Sequence, residues 1–200
     1  QRNRYANKFW EARKRNGVSL YGAGLKMRER NYFGAMMVLE GDADGMMSGY
    51  SRAYPTVVKP IFETVGRAAT VKRAATVNIM ITERGPLFLA DTSINIDPTA
   101  EEIAEIAQMT ANVAKNFGFE PVMALLSYAN FGSSSHPDAT KVREAVKILH
   151  AKNPDLAVDG EIQIDFALNK ELHQSVFPFS KIAGKKVNTF DFAALVQAFD

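Results

Sequence analysis

Apolar residues at Phe9, Trp10 and Ala12 stand inside a basic stretch, and Leu25, Met27, Tyr32, Phe33, Met36, Met37 and Leu39 follow at helical spacing. The two sets predict two helices ending at the turn Gly41-Asp42-Ala43-Asp44-Gly45, which feeds a short Met46-Met47-Ser48 segment. Residues 75–82 and 87–91 are short runs rich in Val, Ile, Phe and Leu, and Glu83-Arg84-Gly85-Pro86 breaks them. They read as two strands of a hairpin. Asp97-Pro98-Thr99 offers a capping residue, Glu101 and Glu102 then sit where the helix dipole favours acids, and Ile103, Ile106, Ala107, Thr110 and Val113 continue at helical spacing. That helix ends near Phe117-Gly118. The run 122–127 is continuous in Val, Met and Leu, the pattern of a strand buried on both faces, with Ser127 at its carboxyl tip. After the loop 128–135, Pro137 opens a helix through Val142, Val146 and Leu149, and Leu156-Ala157-Val158 makes another short strand.

Strands alternating with helices predict an α/β fold: three layers, α/β/α, around a mainly parallel sheet. Ligands of such sheets bind beyond the carboxyl ends of strands. Residues 91–95, 127–136 and 159–163 therefore converge on one candidate cleft, lined by Ser127, Ser133, Ser134 and Asp159. No internal repeat or linker divides the chain, so 1–190 reads as one domain and 191–200 as an unassigned tail.

A chain of 200 residues with 46% hydrophobic and 23% charged positions can bury a sizeable core, which sets disorder aside. The longest apolar runs fall far short of a bilayer span, and no leader pattern stands at Gln1, so a soluble protein without membrane partners is expected. The absence of cysteine excludes disulfides and thiolate chemistry and fits a cytoplasmic setting. With 24 basic against 22 acidic residues, the charge balance does not call for a nucleic-acid partner.

Gly132-Ser133-Ser134-Ser135 before a helix start offers amides and hydroxyls suited to phosphate, although a solvated Ser-rich loop capping a helix is the favoured account of so short a motif. It lacks a P-loop lysine, and no dinucleotide fingerprint follows a strand. Asp42, Asp44, Asp91, Asp97, Asp159, Glu161 and Asp165 show no metal-ligand spacing and read as turn-forming carboxylates; no metal site is expected. Between Gln1 and Arg15, six basic residues stand against Glu11, interleaved with Tyr5, Phe9 and Trp10. Such a stretch suits a polyanion such as CoA or, as readily, a solvated amphipathic helix.

Five blocks together resemble the phosphotransacetylase family, whose fold is like that of isocitrate and isopropylmalate dehydrogenases. They are the stretch from Phe9-Trp10-Glu11-Ala12-Arg13 to Gly17, the turn Gly41-Asp42-Ala43-Asp44-Gly45 with Ser48-Gly49, Ala90-Asp91 through Asn95 to Glu101, Leu126-Ser127-Tyr128 with His136-Pro137, and Asp159-Gly160-Glu161-Ile162-Gln163. Arg30-Asn31-Tyr32-Phe33-Gly34, Asp91-Thr92-Ser93-Ile94-Asn95 and Phe177-Pro178-Phe179-Ser180 look like the subgroup fused to NADP-dependent malic enzymes. By this resemblance Arg13 matches an arginine that contacts CoA, and Lys59 takes the place of a substrate-binding arginine, keeping the charge but losing the bidentate fork. The implied ligand is acetyl-CoA or acetyl phosphate, with NADP and a divalent metal (Mg or Mn) on a malic domain outside this sequence, in a homo-oligomer. The family's catalytic Ser-Arg pair and Asp have no counterpart in 191–200, so no catalytic residue is assigned and the chain reads as a fragment with a regulatory, ligand-binding role. The rival reading is an active phosphate acetyltransferase, and a third is a structural oligomerisation domain without a ligand.

Overall fold

Tyr5, Phe9, Ala23, Met27 and Met36 are buried together because the helices bearing them present apolar faces to one another. A computed structural model describes residues 1–69 and 71–192, and its contacts divide the chain into two compact units, Gln1–Thr70 and Val71–Asp200.

The first unit comprises α1 (Arg2–Arg13), a 3-10 turn (Lys14–Asn16), α2 (Leu20–Lys26), α3 (Arg30–Leu39) and α4 (Tyr54–Thr64). Aromatic edges lock it, Tyr5 on Phe33 at 5.1 Å and Phe9 on Tyr32 at 5.7 Å. The second expected helix is two. The Glu29 side chain accepts from the amides of Asn31 and Tyr32, so it caps a new helix at the point where the periodicity runs on unbroken. Helix α4 escaped the sequence reading because Pro60 sits inside it, where proline removes a backbone donor. The Thr64 hydroxyl donates to the Pro60 carbonyl at 2.7 Å.

The second unit holds β1 (Val77–Thr82), β2 (Gly85–Ala90), α5 (Ala100–Asn116), β3 (Val122–Leu126), α6 (Pro137–Lys152), β4 (Ala157–Ile162), α7 (Ile164–Leu168), α8 (Lys170–Val176) and β5 (Thr189–Asp191). The five described strands run in the order β1-β2-β5-β3-β4, parallel throughout except for the antiparallel β1–β2 hairpin. One face of β3 and β4 buries Met123, Leu125 and Val158 against α5 and α6. The other buries Ala124, Leu126 and Ile162 with Ala167, Ile182 and Phe190. The sheet is thus covered on both faces, which is why β3 reads as an unbroken apolar run.

Two boundaries differ from expectation. Asp191 closes β5 rather than opening a tail; residues 193–200 lie outside the described residues. Strand β5 has three residues, too few for a pattern, and Asn188 fixes its place by accepting from the Val122 amide at 2.9 Å and donating to the Glu120 carbonyl at 2.9 Å. Strand β4 does not stop at Val158 but runs to Ile162 across a bulge opposite Leu125 and Leu126. Gly160 makes this passable. A β-carbon there would lie 2.4 Å from the Leu125 carbonyl oxygen, and φ is +152°. Among the described residues no helix is long and apolar enough to cross a membrane.

Candidate functional site

In the first unit the Gly41-Asp42-Ala43-Asp44-Gly45 turn is tied to α1, because the Asp42 carboxylate accepts from the Tyr5 hydroxyl and from Arg4. The Tyr5 hydrogen bond above all holds the Asp42 carboxyl below its usual value. Beyond this turn, the Ser48 hydroxyl donates to Asn31 Oδ1 at 2.7 Å, and Asn31 Nδ2 donates to the Thr56 carbonyl at 3.2 Å. Buried Asn31 therefore clips the loop after the turn to α3 and to the start of α4. Gly34 lets the loop lie close: a β-carbon there would come within 2.6 Å of Met46 Sδ.

The loop and α3 enclose a cavity of about 540 Å³, walled by Arg30, Asn31, Ser48, Gly49 and Arg52. A second cavity of about 450 Å³ shares Arg30 and Arg52 and adds Arg28. None of these arginines makes an ion pair among the described residues. Planar guanidiniums lining one cavity are the chemistry of phosphate and carboxylate recognition. Arg28, Arg30 and Arg52 escaped the sequence reading; the available signal was their density on either side of the Asp-Gly turn and Ser48-Gly49.

Arg13 ends α1, and its Nε is buried without a hydrogen-bond partner among the described residues. An unpaired buried donor of a cation fits an anionic ligand. Lys59 lies on α4 with its side chain 70% exposed and only a long contact, 3.9 Å, to Glu63. Glu63 is engaged instead by Lys26 and by the Tyr32 hydroxyl at 2.6 Å. Burial would raise the Glu63 carboxyl, but those two bonds carry it below its usual value.

In the second unit Ser127 stands at the tip of β3, buried, its hydroxyl accepting from the Ala129 amide at 3.4 Å. The loop behind it is held from within. Asn130 and Gln163 exchange two bonds of 2.6 and 2.8 Å, and Gln163 Nε2 donates to the Tyr128 carbonyl. The Ser133 hydroxyl accepts from the Asn130 amide at 3.0 Å, and the Ser134 hydroxyl from the His136 amide at 3.2 Å. Glu161, fully buried, accepts from the Gly132 amide at 2.7 Å and pairs bidentately with Arg143 at 3.1 and 2.8 Å. Burial opposes its charge, yet Arg143 and the Gly132 amide together hold the Glu161 carboxyl below its usual value. Here an internal carboxylate takes the amide that a bound phosphate would use.

The three expected segments are not equally close. Residues 127–136 and 161–163 bond directly, whereas Asp91 turns to its own side, accepting from Asn95 and the Thr76 amide, with β5 intervening in the sheet. Asp159 is not at a tip. It pairs in register with Ala124 inside β4 and accepts from the Ser180 hydroxyl at 2.9 Å and the Lys181 amide at 2.8 Å. Among the described residues no three His, Asp or Glu side chains gather as a metal site.

The layered, mainly parallel sheet of the second unit makes this an α/β protein. The chain belongs to the phosphate acetyl/butaryl transferase family, whose model matches residues 1–195. A phosphate acetyltransferase from Thermoanaerobacterium thermosaccharolyticum is 40% identical over 92% of this chain and 58% of its own length. An NADP-dependent malic enzyme from Salmonella typhimurium is 38% identical over 90% of this chain and 24% of its length. The crystal structure of a phosphotransacetylase from Streptococcus pyogenes aligns with a TM-score of 0.83 and 39% identity, covering 96% of this chain and 58% of that one. The chain thus spans 58% of the length of the Thermoanaerobacterium relative and of the Streptococcus structure, and 24% of the malic enzyme.

Proposed function

We propose that this chain is the acyl-CoA or acetyl-phosphate-binding domain of a multifunctional NADP-dependent malic enzyme, regulating oxidative decarboxylation of malate to pyruvate on a separate domain. The observation that carries the reading is the cavity between Arg30, Ser48 and Arg52, walled by the loop that follows the Asp-Gly turn. The unpaired Nε of Arg13 supports it. In this reading Arg13, Lys59 and the cavity arginines of the first unit hold phosphate groups, and Ser127, Ser133, Ser134 and Asp159 of the second unit are further candidate ligand contacts. NADP and Mg or Mn act on the malic domain, and the assembled protein is a cytoplasmic homo-oligomer.

The likeness to malic enzymes and Lys59 in place of an arginine favour regulation over transfer. The 40% identity to a phosphate acetyltransferase favours the second reading, acetyl transfer between acetyl phosphate and CoA. Acetyl-phosphate:CoA exchange by the full-length protein separates the two. Regulation predicts negligible exchange together with a malate-oxidation rate that responds to acetyl-CoA; robust exchange reverses the ranking. In the same assay Arg13→Ala weakens the effector's apparent affinity by about 1.5–3 kcal/mol, the range for a hydrogen bond to a charged group, and spares basal turnover. An unchanged effector midpoint removes Arg13 from the site.

A further inference from the structure

We infer that the second unit holds a further binding site, for a small phosphate monoester bearing an apolar group, at the amino ends of β2 and β5. This is the opposite end of the sheet from the strand tips. A cavity of about 360 Å³ opens there between the β1–β2 turn, the α7–α8 corner and the segment leading into β5. Its floor is apolar: Leu87, Ala167 and Val187 extend the core that backs this face of the sheet. Its rim is cationic, with Arg84, Lys170, Lys185 and Lys186 against the single acid Glu171.

The four cations come from three separate segments. The Lys186 ammonium donates to the Arg84 carbonyl, which fixes the turn against the segment before β5. The charged heads of Arg84, Lys170 and Lys185 have no ion pair among the described residues. Like charges gathered around a concave, low-dielectric floor repel one another, and an anion seated among them relieves that repulsion. A monocarboxylate balances one of them, whereas a phosphate monoester brings roughly −1.5 to −2 at neutral pH and three acceptor oxygens. Inorganic phosphate alone leaves the floor wet. A cavity of this size, at the lower end of small-ligand sites, takes a phosphate together with an apolar group.

The test is isothermal titration of the full-length protein with phenyl phosphate, inorganic phosphate and benzoate at constant ionic strength. With the first unit's cavity removed by Arg30→Ala and Arg52→Ala, saturable one-to-one binding of phenyl phosphate is expected, about tenfold tighter than that of either other probe. The pair Lys170→Ala and Lys185→Ala, both exposed and unpaired, is expected to weaken it about tenfold with an unchanged thermal midpoint. Arg30→Ala with Arg52→Ala is expected to leave this binding intact, which separates it from the cavity of the first unit. No saturable binding, equal binding of benzoate, or binding abolished by the first-unit pair instead of the lysine pair overturns the proposal.

Discussion

Glu161 shows how a single buried charge organises a loop. Its carboxylate has no water to lean on, so it is stable only because Arg143 and the Gly132 amide share its two oxygens. Removing the charge in Glu161→Gln leaves the Arg143 fork half-satisfied. Arg143 is one-third exposed, which moderates the loss to about 1.5–3 kcal/mol, measurable by denaturant unfolding. His173 gives the complementary pH effect. It is buried against Phe131 and Phe177; burial lowers its pKa below the usual 6.5, and the charge of Asp159 opposes that only in part. A histidine depressed in the folded state binds fewer protons than in the unfolded chain. Stability is therefore full above pH 6.5, falls as pH drops below it, and levels off beneath the folded pKa. The Glu161 carboxyl, also depressed, adds its own loss only below pH 4.5. Thermal midpoints measured from pH 7.5 to 5 should decline in the wild type and flatten in His173→Leu; parallel declines would exclude His173 as the source.

At the scale of elements, α5 was the most legible because cap, dipole and periodicity agree in its sequence. Thr99 Oγ1 accepts from the Glu102 amide, and Glu102 reaches back to the Thr99 amide at 2.8 Å, a closed capping box. Thr99→Ala should cost about 1 kcal/mol, read as a lowered midpoint in urea with an unchanged slope. Glu102 also pairs with Arg73, so Glu102→Ala should cost at least as much. The elements that stayed hidden share a different property. Helix α4 contradicts local propensity at Pro60, and the α2–α3 break rests on a Glu29 cap inside a continuous apolar pattern. Strand β5 is specified by Asn188 reaching chain 66 residues away. Such information is tertiary and leaves no period to read. The same holds at the candidate site: the Asp-Gly turn was legible as a motif, but that Arg30 and Arg52 face one cavity follows only once Asn31 has joined α3, the loop and α4.

At the scale of the molecule, each unit has its own core, and the sheet of the second exposes one unprotected edge. Strand β1 pairs with β2 on one side, and no described strand pairs with the other. Its middle residues, Asn78, Ile79, Met80 and Ile81, are exposed on both faces of the strand, with Ile81 at 79%. A hydrophobic edge strand offers unpaired backbone groups and apolar side chains to any second chain, and natural proteins shield such edges with charge, proline or cover. Lys72 and Arg73 precede β1 and Glu83 and Arg84 follow it, but the strand itself has no charged gatekeeper. The 200-residue chain on its own should therefore self-associate with rising concentration. Ile81→Lys, which places a charge on the exposed edge beside Pro86, should suppress association while changing stability by no more than about 0.5 kcal/mol, as for a surface substitution. Light scattering across a concentration series, with denaturant unfolding of the same samples, checks both halves. Suppressed association with unchanged stability assigns the behaviour to the edge of β1. Association that persists in Ile81→Lys at unchanged stability places the adhesive surface elsewhere.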